Sequence, residues 1–135
     1  MKIIIETPKY SFFKYEKIRD GFKKVMFSPI PTVFNYGYID GTEGPDGMPV
    51  DVAVFGPRLV KGSVIDREDG RKFDGVIRFV DDSLRDDKNI IYVGGFRNTS
   101  ILSIYFQIYA RYKFFRYFIL KRKVTVCRFE GIEWY

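Results

Sequence analysis

Short runs of alternating apolar and polar residues, rich in Ile, Val, Phe and Tyr, fill most of this sequence. Runs of that length and composition predict β-strands. They fall at residues 2–6, 13–18, 22–26, 35–39, 52–55, 62–67, 71–80, 89–93 and 121–129. Two are joined by Arg19-Asp20-Gly21 and two more by Glu68-Asp69-Gly70, and an Asp-Gly pair between such runs favours a hairpin turn. The period changes only near the end, where residues 99–118 predict one long helix. Many short strands with a single helix predict a mainly β chain, a small β-barrel with the helix packed on it.

Asn98-Thr99-Ser100 supplies side-chain acceptors for the free N–H groups at the start of that helix. In its first half Ile101, Leu102, Ile104, Tyr105, Phe106, Ile108 and Tyr109 cover nearly the whole circumference. One face can pack on the barrel, and the other needs cover from an oligomer interface or additional loops, so a homo-oligomer is expected. Residues 101–120 are long and apolar enough to suggest a membrane span, but they contain Arg111, Lys113 and Arg116. Three cations near the bilayer centre would cost on the order of 8 to 10 kcal/mol, so a buried helix and no membrane partner are expected. The apolar run Ile3-Ile4-Ile5 is too short for a signal-peptide core, which leads to a cytoplasmic expectation.

With 135 residues, 46% of them hydrophobic and 19% aromatic, the chain has material for one core, so residues 1–135 are expected to form a single domain. A lone Cys127 and the absence of His exclude zinc fingers, haem attachment and Cys/His proteases. Any metal would be a hard ion on oxygen ligands. The net charge of +6 is unevenly placed, because residues 111–128 alone carry +7 and leave −1 for the rest. Ten of the eleven Asp lie between Asp40 and Asp87, so an acidic centre is paired with a basic segment. That layout suits a metal-and-phosphate site as well as it suits nucleic acid.

The candidate chemistry lies in three groups of residues: Asn35-Tyr36-Gly37-Tyr38-Ile39, then Asp46-Gly47-Met48-Pro49-Val50-Asp51-Val52, then Asp81-x4-Asp86-x-Lys88. Asp46, Asp51, Asp81 and Asp86 sit at strand ends or in turns. Four carboxylates converging on one barrel mouth would repel each other unless divalent cations lay between them. Asp also favours turns for its own reasons, which accounts for any one of these residues but poorly for the set.

Together these motifs resemble the soluble, family I inorganic pyrophosphatases. The signature Asp-small-Asp-Pro-aliphatic-Asp-aliphatic reads Asp46 to Val52 here, with Asn35 to Ile39 at a matching distance before it. Upstream, Ile5-Glu6-x-Pro8 and Lys14-Tyr15-Glu16 are similar to the family's substrate- and metal-side residues. Downstream, Asp81-x4-Asp86-x-Lys88 resembles its second metal motif, Tyr112-Lys113 its phosphate-binding pair, and Phe129-Glu130-Gly131 the strand that follows.

The resemblance implies a small OB-like closed barrel of about five core strands plus hairpins. It also implies hydrolysis of inorganic pyrophosphate with several Mg²⁺ ions per site, Mn²⁺ being the alternative ion. Glu6, Glu16, Asp46, Asp51, Asp81 and Asp86 would hold metal. Asp51, Lys14, Lys88 and Tyr36 would take part in catalysis, and Lys14, Lys24, Tyr36, Lys88, Tyr112 and Lys113 would bind substrate. In such a site metals lower the pKa of a shared water and neutralise phosphate oxygens.

Three positions depart from the family pattern. Met48 stands where the family has the Asp that accepts a proton from the attacking water, and a thioether can neither act as a base nor replace a carboxylate on Mg²⁺. Lys24 stands in place of an Arg and Thr32 in place of a Tyr, which removes a bidentate fork and a phenol. Reduced turnover is therefore expected. The alternative is a catalytically impaired relative that binds metal and pyrophosphate or a nucleotide. A third reading, an OB-like nucleic-acid-binding module, rests on the barrel class and the basic segment. Nothing in such a module requires these Asp spacings, so no nucleic-acid partner is expected.

Overall fold

The computed structural model describes residues 1–44, 47–67, 73–95 and 97–135. In chain order the elements are β1 (Lys2–Thr7), β2 (Phe13–Ile18), β3 (Gly21–Phe27), β4 (Asn35–Ile39), β5 (Asp51–Phe55), β6 (Val64–Asp66), β7 (Gly75–Asp81), β8 (Leu84–Arg85), β9 (Lys88–Tyr92), α1 (Thr99–Lys121) and β10 (Arg128–Trp134). The chain is mainly β with one long helix, as its periodicity predicts. It divides into two compact units, Met1–Lys72 with Ile90–Phe96, and Phe73–Asn89 with Arg97–Tyr135.

In the first unit the strands are ordered β9-β5-β4-β1-β6, with β9 contributing from Ile90 onward. The antiparallel register sets Ile3 opposite Ile39 and Ile5 opposite Gly37, while Tyr36 faces Ala53 and Tyr38 faces Asp51. Ile3, Ile5, Val52, Val54, Ile90 and Ile91 are wholly buried and form the centre of this unit. Gly37 is required by close approach, since a Cβ there would run into the carbonyl oxygen of Ile4 on β1. Asn35, also wholly buried, joins three segments. Its Oδ1 accepts from the N–H groups of Lys9 and Leu59, each at 2.9 Å, and its Nδ2 donates to the Pro57 carbonyl at 2.8 Å. The strands β2 and β3 form a separate antiparallel ribbon, with Glu16 opposite Lys23 and Tyr15 opposite Lys24.

In the second unit β7 pairs antiparallel with β10, setting Phe79 opposite Phe129 and Ile77 opposite Ile132, and β8 folds back on β7. Helix α1 buries Leu102, Phe106 and Ala110, with the Phe106 ring stacked on Phe129 at 5.4 Å. Its N-terminus is capped by Asn98, whose side chain accepts from the Ile101 N–H at 3.2 Å. A second apolar strip on the helix, Ile101, Ile104, Ile108 and Phe115, stays exposed. Among the described residues no helix is long and apolar enough to cross a membrane.

Several sequence expectations change here. The helix runs on to Lys121, because no Gly or Pro interrupts Phe118-Ile119-Leu120, and it ends where Arg122 turns left-handed and donates its N–H to the Tyr117 carbonyl. The last strand therefore starts at Arg128 instead of 121 and extends to Trp134, with a bulge at Gly131. The strand expected at 62–67 shortens to β6 and pairs with β1, and the one expected at 71–80 becomes β7 and pairs with β10, in place of a mutual hairpin. The Glu68-Asp69-Gly70 turn itself lies outside the described residues. The strand β8 was not foreseen. The described pairings include none that closes a barrel.

Candidate active site

The first unit holds a pocket of about 370 Å³ lined by Glu6, Lys14, Glu16, Lys17, Tyr36, Tyr38, Asp40, Met48, Pro49 and Asp51. Strand geometry brings these groups together: Glu6 is the penultimate residue of β1, Lys14 and Glu16 share one face of β2 by the two-residue period, Tyr36 and Tyr38 share a face of β4, and Asp51 opens β5. The loop before β5 is held by Thr42, whose hydroxyl donates to the Ile39 carbonyl at 2.6 Å and accepts from the Val50 N–H at 3.1 Å. Within that loop the Met48 carbonyl accepts from the Gly44 N–H, and the Met48 residue remains 58% exposed at the pocket wall.

Three of the expected metal ligands, Glu6, Glu16 and Asp51, thus share the pocket with Lys14 and Tyr36. The Lys14 ammonium lies 4.9 Å from the centre of the Tyr36 ring. Burial pushes the Glu6 carboxyl above its ordinary value, the Lys17 N–H that it accepts at 2.6 Å pulls it back, and Asp51 and then Glu16 push it up again. That balance describes a crowded acidic site that a cation would relieve. Asp46 lies outside the described residues. Lys24 does not line the pocket; its ammonium sits 4.2 Å from the Phe13 ring centre. Nor does Thr32, whose hydroxyl donates to the Pro8 carbonyl.

The second unit gathers Asp81, Asp86, Lys88 and Lys113. Asp81 ends β7, and the chain then reverses through Asp82 and Ser83, both at positive φ, into β8. Two consecutive left-handed residues make the tight hairpin turn that returns the chain to Asp86. Lys88 Nζ donates to Asp86 Oδ1 at 2.8 Å, and Lys113 Nζ lies 3.4 Å from Asp81 Oδ2. Tyr112, half-buried on α1, is the neighbour of Lys113.

Sequence reasoning passed over two tyrosines here. Burial first, then the charges of Asp81 and Asp86 against that of Lys88, push the Tyr109 phenol up to about 12, so it stays a donor throughout the neutral range. Tyr117 is raised too, by burial and then by Asp81, to which it hydrogen-bonds. Tyr109, Lys113 and Tyr117 recur every four residues, the spacing of one helix face, and that period was the available signal. Cys127 joins them, its thiol donating to Asp81 Oδ1 at 3.8 Å.

Among the described residues no group of three Asp, Glu or Cys forms a ready-made cage for a metal ion. The donors present nevertheless fit Mg²⁺, a hard ion that usually keeps several waters and takes one or two carboxylates plus substrate phosphates. Glu6, Glu16 and Asp51 in the first unit, and Asp81 and Asp86 in the second, are all oxygen donors of that kind.

Comparison with known proteins agrees with these motifs. Residues 3–118 match the family model described as inorganic pyrophosphatase. The inorganic pyrophosphatase of Corynebacterium glutamicum is 34% identical over 92 residues, covering 65% of this chain and 56% of that protein. That of Sulfolobus acidocaldarius is 38% identical over 71 residues, covering 49% of this chain and 41% of its own. The chain thus spans little more than half the length of the first of these relatives. Among solved structures, the inorganic pyrophosphatase of Helicobacter pylori superposes with a TM-score of 0.74 at 21% identity, over 99% of this chain and 84% of that one. That of Thermus thermophilus gives 0.70 at 23% identity, over 99% and 82%. With 116 consecutive residues of 135 matched by the family model, this chain belongs to the inorganic pyrophosphatase family.

Proposed function

We propose that this protein hydrolyses inorganic pyrophosphate to two phosphates in a Mg²⁺-dependent reaction, as a cytoplasmic hydrolase. The observation that carries this reading is the first unit's pocket, where Glu6, Glu16 and Asp51 share the walls with Lys14 and Tyr36. Phosphoryl transfer needs positioning and charge neutralisation more than covalent chemistry, so a chain without His is adequate for it. Bound Mg²⁺ supplies an acidified water and offsets the phosphate charge.

The chain's own groups do the rest. Lys14 offers an ammonium to a phosphate oxygen, and Tyr36 a buried phenol beside it. In the second unit Asp86 and Asp81 already pair with Lys88 and Lys113. Asp86 and Asp81 would hold Mg²⁺, and Lys88 and Lys113, released from them, would offer their ammoniums to phosphate oxygens. Tyr109 and Tyr117 add phenols that remain protonated at neutral pH, and Tyr112 adds a third phenol beside Lys113. Lys24 and Asp46 are retained in this reading as substrate and metal ligands on the family resemblance alone. So are the OB-like closed barrel, the treatment of residues 1–135 as one functional domain, several Mg²⁺ per site and Mn²⁺ as the alternative ion. The exposed strip Ile101, Ile104, Ile108 and Phe115 supports a homo-oligomer.

One observation favours a second reading, a relative that binds metal and pyrophosphate but turns over little. Met48 lies on the pocket wall where the family's proton acceptor stands, and general-base assistance typically contributes about 10² to 10⁴ in rate. Met48→Asp separates the two. Measurable wild-type phosphate release, rising roughly 10²-fold in Met48→Asp, supports a slow enzyme. Wild-type silence with activity appearing only in Met48→Asp supports the binding-only relative.

A further inference from the structure

We propose that the outer face of the β2–β3 ribbon is a binding site for single-stranded nucleic acid. The two-residue period divides the ribbon into two faces. Lys14 and Glu16 point to the pocket described above, to which Lys17 turns its backbone N–H, donated to Glu6, while its ammonium lies over the Phe22 ring. Phe13, Tyr15 and Lys17 occupy the other face, and their cross-strand partners Phe27, Lys24 and Phe22 share it. The contacts bear this out: the Phe13 and Phe27 rings lie 5.4 Å apart, and the Lys24 ammonium is 4.2 Å from the Phe13 ring. Lys17 is 5.2 Å from the Phe22 ring, and Lys61, from the neighbouring loop, is 3.9 Å from Tyr15.

This face therefore interleaves four rings with three ammoniums. The ribbon's acids are elsewhere, Glu16 on the pocket face and Asp20 in the turn. The exposure is unusual for a core-forming residue type. Among the described residues of the first unit, the large exposed aromatics are Tyr10, Phe12, Phe13 and Phe27, all at one end of this ribbon, where the Ser28 N–H ties β3 back to the Phe12 carbonyl.

Charge and chemistry together select the partner. A face whose charged groups are all cations attracts a polyanion, and exposed rings between those cations add stacking partners for unpaired bases. A base inside a duplex offers its edges, not its face, so single strands are favoured over duplex. The long Lys stems can swing off the rings to meet phosphates, leaving the rings to the bases.

The test is fluorescence anisotropy of a labelled oligo-dT and a labelled oligo-U, with a duplex of equal length alongside, over about 50 to 200 mM KCl. Three phosphate contacts give an expected log–log salt slope of about −2 for single strands. Phe27→Ala is expected to weaken binding roughly 5- to 100-fold through loss of one stacking platform. Lys61→Glu is expected to weaken it and make the slope shallower by about 0.7. Neither substitution should change the melting temperature or pyrophosphate hydrolysis, since both residues are exposed and neither lines the pocket. Three results would overturn the proposal: no single-strand binding at the lowest salt, binding unaltered in both variants, or adhesion to phosphatidylserine vesicles without oligonucleotide binding.

Discussion

Glu6 and Asn35 carry opposite lessons about single residues in one unit. The Glu6 carboxyl is raised mainly by burial, so the folded state holds its proton more tightly than the unfolded chain does. The stabilisation from that proton is complete below the ordinary carboxylate range and is lost as pH rises through the raised pKa. At neutral pH without metal, ionised Glu6 therefore costs stability. Glu6→Gln is expected to melt higher than wild type at pH 7 and to lose that advantage at about pH 4. Added Mg²⁺ should narrow the gap by giving ionised Glu6 a partner. Thermal melts at the two pH values check this; a variant melting lower at pH 7 without metal would contradict it.

Asn35 reads in the sequence as part of a motif before the acidic signature, and its physical role is to satisfy the backbone of three segments. Asn35→Ala orphans two partly buried N–H groups and is expected to cost about 2 to 4 kcal/mol, measured as a lowered urea midpoint. Residue types were legible in the sequence because carboxylates, lysines and tyrosines at particular spacings have few other uses together. Their partners were not, since Lys24 over Phe13 and Lys113 beside Asp81 depend on side-chain packing that spacing does not encode.

At the scale of elements, strand positions followed the alternation closely, and β2 and β4 have the predicted limits. Failures came where pairing or termination decided the outcome. A period-2 run does not name its partner, so the sequence predicts a mutual hairpin where β6 pairs with β1 and β7 with β10. Helix α1 outlasted its predicted end because its stop is a left-handed Arg122, a conformation that sequence signals only through Gly or Asn. The β8 strand, two residues long, is too short to leave a period. Gly37 shows the reverse, a turn-like residue needed inside a strand. Gly37→Ala would push a methyl group into the Ile4 carbonyl and is expected to cost about 1 to 3 kcal/mol in denaturant titration without altering Mg²⁺ dependence.

For the whole molecule, folding brings together within each unit acids and lysines, including Asp81 and the Lys113 of the basic segment that lies far from it in the sequence. The first unit brings acids and Lys14 to a pocket, and the second pairs Asp81 and Asp86 with lysines from β9 and α1. If the exposed strip on α1 is covered by another copy of the chain, Ile104→Asp should lower the mass found by sedimentation without unfolding the protein. An unchanged mass would remove the argument for a homo-oligomer.

The most direct measurement is phosphate release from pyrophosphate with Mg²⁺ titrated, comparing wild type with Asp51→Ala and Asp81→Ala. Metal-dependent release, reduced at least about 100-fold by either substitution, is the expected result, because each removes an oxygen donor on which metal-assisted chemistry relies. Absence of release at every Mg²⁺ concentration, in wild type and in Met48→Asp alike, would contradict the assignment of hydrolysis to this chain.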